Sequence, residues 1–231
     1  MTLHKVYRGE ETVGRYDEHH FGGPVGQQIF QQECEVLDNF LRHYSGRLLD
    51  IPCGTGIYSA RFHELGYDVV ASDASFEMLQ LTVSRGYDFE ILQSDIFHLP
   101  FGDDSFDVVV TLRLFQHFPL PHVSRAMQEL QRVVKPNGLV IFDTFRWTPK
   151  QMPLIKRFFK GEMYVYAPAK VKTMIDTSGL KLVRHTSRHL FSPIRQRKLP
   201  YGLFRGIHAL EKKVPQRWLL RTFWACTKVS S

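Results

Sequence analysis

Several features are scarce in this chain of 231 residues, and each scarcity closes off a class of protein. No apolar run approaches the roughly 18 residues that a membrane-spanning helix needs. Met1-Thr2-Leu3-His4-Lys5 is followed by no apolar stretch that could serve as a secretory signal, so the cytoplasm is the expected compartment. Cysteine is rare: Cys34, Cys53 and Cys226 are odd in number and widely spaced, which argues against a disulfide framework or a zinc ribbon and for free thiols. There is no internal repeat and no low-complexity segment. Acids are scarce in one half only. Met1 to Phe145 carry 11 Lys and Arg against 20 Asp and Glu, a net −9, whereas Arg146 to Ser231 carry 19 against 3, a net +16. Such polarisation suggests that the C-terminal part meets something anionic, whether a substrate, a nucleic acid or a lipid surface. The plainer alternative is that the cations solvate exposed helices.

What is present reads as a single α/β domain with elaborations. Strands and helices alternate, which predicts a parallel sheet covered on both faces. Strands are expected at Arg47 to Ile51, Asp68 to Ser72, Phe89 to Leu92, Phe106 to Leu112, Leu139 to Thr144, Leu180 to His189 and Thr222 to Val229. Between them lie helical patterns at Thr55 to Leu65, Ser75 to Arg85, about His122 to Val134, Pro168 to Thr177 and Leu203 to Lys213, with Pro136-Asn137-Gly138 as the turn into the fifth strand. Residues 1–46, with an amphipathic helix over Ile29 to His43, are expected to be a lid. Residues 47–145 form the core, and 146–231 carry basic insertions.

The densest signal is Leu48-Leu49-Asp50-Ile51-Pro52-Cys53-Gly54-Thr55-Gly56, an acid at the end of a strand followed by two glycines entering a helix. Glycine lets backbone approach a ligand closely, and helix-start amides favour carboxylate or phosphate. The same pattern also serves as an ordinary tight turn. Asp73 ends the second strand about 20 residues past the glycines, where a carboxylate can accept from ribose hydroxyls. Asp95 with Ile96 follows the third strand, where an acid can hold an adenine amino group beside an apolar contact. Each aspartate alone suits a turn or a cap; together, in this order, they point to an adenosine.

On these residues the chain resembles the class I S-adenosylmethionine-dependent methyltransferases, especially the group that includes small-molecule and quinone-biosynthesis enzymes. The D-x-G-C-G-T-G motif of that family is matched by Asp50 to Gly56, its ribose acid by Asp73, its adenine-side acid by Asp95, and its P-F-x-D-x-S-F-D-x-V signature by Pro100 to Val108. Leu130 to Leu139 looks like its L-x-R-V-L-K-P-G-G turn. The resemblance spans Leu48 to Thr144. It implies a Rossmann-like fold: a mostly parallel seven-stranded sheet with helices on both faces and an antiparallel last strand. It further implies S-adenosylmethionine as cofactor, S-adenosylhomocysteine as product, and an Asp50 facing the donor's amino group. The implied donor contacts are Asp50, Pro52, Cys53, Gly54, Thr55, Gly56, Asp73, Ala74, Met78, Ser94, Asp95, Ile96 and Leu112. Pro52 departs from the family, which has glycine there; proline offers no amide hydrogen, leaving the methionine end to Gly54 and Asp50.

Methyl transfer is an in-line displacement, so the protein chiefly positions, with a base where the acceptor must lose a proton. Arg113, Gln116 and His117 follow the fourth strand near the ligand-binding ends of an open sheet, and His117 has the pKa range of a base, although the family often keeps histidine there for structural reasons. Tyr16-Asp17-Glu18-His19-His20-Phe21 looks like the tyrosine-bearing segment that folds over the donor in related enzymes. The expected catalytic set is therefore His117, Arg113 and Tyr16. His19 and His20 lack an acidic cluster to accompany them, so no metal is expected. Leu199 to Glu211 resembles a substrate-side insertion for hydrophobic acceptors; with Phe158, Phe159, Tyr164, Tyr166, Trp218 and Phe223 it could hold an aromatic or lipid acceptor bearing an acidic group, or supply ordinary core. The expected partner is a small-molecule acceptor methylated on oxygen, carbon or nitrogen. An RNA methyltransferase and a silent adenosyl-ligand-binding protein are the alternatives. A nicotinamide-dependent reductase, suggested by Tyr166-x-x-x-Lys170, is disfavoured because Pro168 would break the helix that must align that pair.

Overall fold

The computed structural model describes residues 16–146, 163–190, 196 and 199–229. Seven strands, β1 (Arg47–Asp50), β2 (Asp68–Asp73), β3 (Glu90–Gln93), β4 (Phe106–Thr111), β5 (Val134–Phe145), β6 (Leu180–Arg188) and β7 (Arg221–Lys228), form one sheet in the order β3-β2-β1-β4-β5-β7-β6. Strands β1 to β5 pair in parallel, and β7 runs antiparallel to both β5 and β6. The mostly parallel sheet with an antiparallel last strand is therefore the one the family resemblance implies.

The strands are apolar without alternation because both faces are covered. One face carries Leu49, Val109, Val140 and Phe142 against Val123, Met127 and Leu130 of α5 (Leu120–Val133) and Val171, Met174 and Ile175 of α6 (Pro168–Thr177). The other carries Leu48, Val108, Val110 and Ile141 against Val36, Leu37 and Phe40 of α2 (Gly23–Leu41) and Phe62 of α3 (Ile57–Glu64). A short α1 (Tyr16–Phe21) precedes α2, and α4 (Phe76–Ser84) starts where the Ser75 side chain accepts from the Met78 amide. Helix α7 (Tyr201–Glu211) rests on α2, seating Phe204 against Val25 and Ile29.

Two boundaries differ from the sequence reading for local reasons. Helix α2 begins six residues before Ile29 because Pro24 occupies its first turn, where a missing amide hydrogen costs nothing. Strand β5 begins at Val134 rather than Leu139: Val134 pairs with Phe106, the register shifts, and Leu139 then pairs with Val108. Pro136-Asn137-Gly138 is thus a bulge within a strand, with Asn137 at φ 64°.

Candidate functional site

Strands β1, β2 and β3 stop side by side, so Asp50, Asp73 and Asp95 stand in a row at or just past their carboxyl ends. The turn after β1 is tied to β2 by backbone: the Cys53 amide donates to the Ser72 carbonyl at 2.7 Å, and the Gly54 amide to Asp73 Oδ2 at 2.9 Å. The Ser75 amide donates to Asp73 Oδ1 at 2.9 Å. Asp73 therefore has one hydrogen bond on each oxygen and still has lone pairs to offer. Burial pushes its pKa up, against the pull of those amides.

The two glycines of the turn do different work. Gly54, at φ 56°, has nothing within 4 Å of where a Cβ would stand and lies on a cavity wall. Gly56, at φ 77°, is a packing glycine: a Cβ there would meet Thr82 Cγ2 at 2.6 Å.

The cavity holds about 310 Å³, within the roughly 300–1,000 Å³ of small-molecule sites. Of the residues singled out from sequence, Tyr16, Pro52, Cys53, Gly54, Thr55, Asp73, Ala74, Met78, Ser94, Asp95, Ile96, Leu112 and Arg113 line it. Asp50, Gly56 and His117 are not on its wall. Asp50 is buried behind the turn, where Ser59 Oγ donates to its Oδ2 at 2.6 Å; burial, with the Asp73 charge adding to it, raises its pKa to about 7 against that hydrogen bond. His117 sits half-buried in the 3-10 turn Phe115–His117, and burial lowers its pKa despite the charge of Asp143, so the ring is neutral near pH 7.

The wall also has Phe21 and Ile51, from the two segments the sequence had marked, and residues that sequence reasoning missed: Ile57, Tyr58, Ser75, Phe76, Glu77, Gln93 and Leu114. Ser75, Phe76 and Glu77 continue the loop that carries Asp73, so their proximity was a readable signal. Nothing local marks Tyr58, which is held at the wall by edge-to-face contact with Phe21 and a tilted contact with Phe30.

Helix α1 closes one side. Thr55 Oγ1 donates to Asp17 Oδ1 at 2.5 Å, Arg85 pairs with Asp17, and Arg85 Nη1 donates to the Thr55 carbonyl at 2.8 Å. Tyr16 and Phe21 are thereby held at the cavity; burial raises the Tyr16 pKa, opposed by Arg113.

Beyond the cavity lies a buried ionic cluster. Glu33 of α2, fully buried, accepts from Arg113 Nη2 at 3.0 Å, from Arg221 Nη1 at 2.5 Å and from the Tyr58 hydroxyl. Asp143 accepts from the Arg113 amide and from Arg221 Nε, both at 2.6 Å. Burial alone would raise the Glu33 pKa; Arg113 and Arg221 outweigh it and hold the carboxyl well below its ordinary value. Arg113, at φ 59°, also lays its guanidinium over the Phe21 ring at 4.8 Å.

Several candidates separate in space. Tyr166 is buried, with its hydroxyl donating to the Phe115 carbonyl at 3.0 Å, while Lys170 is exposed on α6 beyond Pro168, so they form no reductase pair. Phe223 lies in the core, whereas Tyr164 and Trp218 are exposed. Phe158 and Phe159 lie outside the described residues, as do the side chains of His19 and His20. Among the described residues no three His, Cys, Asp or Glu side chains gather as a metal site would, and no helix is long and apolar enough to cross a membrane.

The cavity suits an adenosyl ligand in its parts: an open glycine turn, carboxylates at Asp73 and Asp95, a Ser94 hydroxyl, and an apolar wall from Ile96, Leu112 and Leu114. Comparison with known proteins agrees. A methyltransferase-domain family model matches residues 49–142. A demethylmenaquinone methyltransferase of Thermobifida fusca is 31% identical over 215 residues, covering 84% of this chain and 89% of that protein. One from Clavibacter sepedonicus is 37% identical over 136 residues, 58% of this chain; the match spans about half of that relative, 54%. Among solved structures, Haemonchus contortus phosphoethanolamine N-methyltransferase 2, in complex with S-adenosyl-L-methionine, shares the fold with a TM-score of 0.73 at 18% identity, over 99% of this chain and 59% of that one. The chain belongs to the class I S-adenosylmethionine-dependent methyltransferases.

Proposed function

We propose that this protein transfers the methyl group of S-adenosylmethionine to a carbon or oxygen of a small hydrophobic acceptor, a hydroxylated aromatic ring of the reduced-quinone kind. The observation that carries the reading is a pair of cavity-wall carboxylates, Asp73 and Asp95, with no cationic partner among the described residues, beside the open backbone of Gly54. An acid left without a cation on a cavity wall is suited to a ligand's hydroxyl and amino hydrogens. The relatives named above support the acceptor class.

The donor, when bound, would supply an electrophilic methyl on a sulfonium: the S–CH3 bond breaks as the bond to the acceptor forms, S-adenosylhomocysteine leaves, and the proton displaced from the acceptor passes to solvent. Asp73 accepts from the ribose hydroxyls and Asp95 from the adenine edge, while Ile96 and Leu114 cover the base. Tyr16, Phe21 and Tyr58 form the aromatic side on which a flat acceptor rests. Arg113, anchored by Glu33, stands beside Tyr16 and holds the acceptor oxygen in line. His117 is not on this wall, so its part in the reading is to fix the Gln116 side chain, whose Nε2 lies 3.4 Å from His117 Nε2 and donates to the Arg113 carbonyl at 2.7 Å.

Calorimetric titration with S-adenosylmethionine, S-adenosylhomocysteine and a nicotinamide dinucleotide tests the donor. Micromolar binding of both adenosyl ligands, weakened by Asp73→Ala, is expected; silence toward both would overturn the reading. Incubation with a demethylated naphthoquinol should then add one methyl by mass.

A further inference from the structure

Helix α7 presents an apolar flank that no element among the described residues covers. Phe204 is the apolar side chain that seats the helix against α2, while Leu203 and Leu210, seven residues apart and so on one flank, are 54% and 52% exposed. Tyr201 at the start of the helix and Trp218 in the turn that follows it are 46% and 45% exposed. Single exposed apolar side chains are unremarkable on a protein surface; four large ones within 18 residues are not.

The charges around them have one sign. Arg205, Lys212, Lys213 and Arg217 are all exposed, and the only acid from Thr177 to the end of the chain, Glu211, is buried with its Oε1 accepting from the Leu190 amide at 2.5 Å. This mixture of aliphatic and aromatic side chains with cations is what binds the interface of an anionic bilayer: the apolar groups enter the headgroup boundary, tryptophan prefers that depth, and the cations meet the lipid phosphates. A second copy of this chain fits poorly, since a two-fold pairing would set these cations against themselves.

We infer that α7 and the following turn dock this protein on an anionic lipid surface, with Leu203, Leu210 and Trp218 inserted and Arg205, Lys212, Lys213 and Arg217 on the headgroups. The placement has a use. Helix α7 packs on α2, the helix that follows the cavity-closing α1, so docking holds the closing segment beside a phase in which hydrophobic molecules dissolve. The inference goes beyond methyl transfer and stands without it.

Sedimentation of the full chain with vesicles of phosphatidylcholine alone, or of phosphatidylcholine with phosphatidylglycerol, tests this. Co-sedimentation with the anionic vesicles only is expected, with a blue shift of tryptophan emission that Trp218→Phe abolishes. Each cation near such a surface is worth roughly a five-fold change in binding, so Lys212→Gln with Lys213→Gln should weaken it by about 25-fold. Leu203→Ser with Leu210→Ser should weaken it at least as much while melting temperature and S-adenosylmethionine binding stay unchanged, which separates lost docking from lost folding or a lost donor site. No binding to anionic vesicles overturns the inference. So does binding that the leucine pair does not affect, which would mean charge attraction alone, or binding of single-stranded RNA, sensitive to the same lysines, in place of vesicles.

Discussion

The carboxyl edge of the sheet treats its acids in two opposite ways. Over β1 to β3, Asp50, Asp73 and Asp95 stand without a cationic partner among the described residues, and burial drives Asp50 to a pKa of about 7 and Asp73 upward. Over β4 to β7, Glu33 and Asp143 are matched by Arg113 and Arg221, and Glu33 is held ionised far below its usual range. Buried charge is expensive unless paired. One side of the edge is complete as it folds; the other is finished by what it binds. Asp50 and Asp73, buried like Glu33 and Asp143, thus differ from them in purpose, and the partner tells which is which.

The largest expected effect breaks the paired side. Glu33→Gln strands Arg113 and Arg221 with half their compensation, and equilibrium unfolding in urea should show about 3–5 kcal/mol lost. A loss under about 1 kcal/mol would mean the cluster is not holding the structure. Asp50→Asn should do the reverse. Because the folded pKa of Asp50 lies above its unfolded value, the ligand-free protein loses stability as pH rises from about 4 to 7. The variant should recover part of a contribution on the order of 4 kcal/mol at pH 8, seen as a higher melting temperature at pH 8 and little change at pH 4. Glu33 has the opposite sign: its stabilisation is present above the unfolded carboxylate pKa and is lost as pH falls through its depressed folded value. Asp73→Ala should weaken donor binding by about 30- to 100-fold, the worth of a hydrogen-bonded charge, with unfolding free energy within about 1 kcal/mol of wild type. Smallest is Asp17→Asn, which loosens α1 from Thr55 and Arg85 and should weaken donor binding about three- to five-fold in calorimetry, since part-exposed pairs contribute about 1 kcal/mol or less.

The unpaired side was the more legible from sequence, because its parts lie close together in the chain: the turn from Asp50 to Gly56, then Asp73 and Asp95 at the ends of successive strands. Its limits were those of depth. Spacing places Asp50 at the end of β1 but not behind the turn, and it gives Gly56 the same standing as Gly54 although only Gly54 reaches the cavity. The paired side was almost invisible. Glu33 sits on a helix whose apolar spacing is satisfied by its neighbours, and its partners Arg113 and Arg221 are 80 and 188 residues away. No local pattern announces such a meeting, and Arg113 read from sequence as catalytic is also a structural ion. His117 failed to reach the cavity because Leu112, Arg113 and Leu114, directly after β4, line the wall, and the chain then turns into the 3-10 turn Phe115–His117.

Strand β7 slots between β5 and β6 and delivers Arg221 to a glutamate on the second helix. Residues 221–228 are thus what joins β6 to the rest of the sheet, and they carry one of the two arginines of Glu33. One buried ion pair thus ties a helix before the first strand to the strand that fills the sheet 188 residues later, so a change at either end is felt at the other.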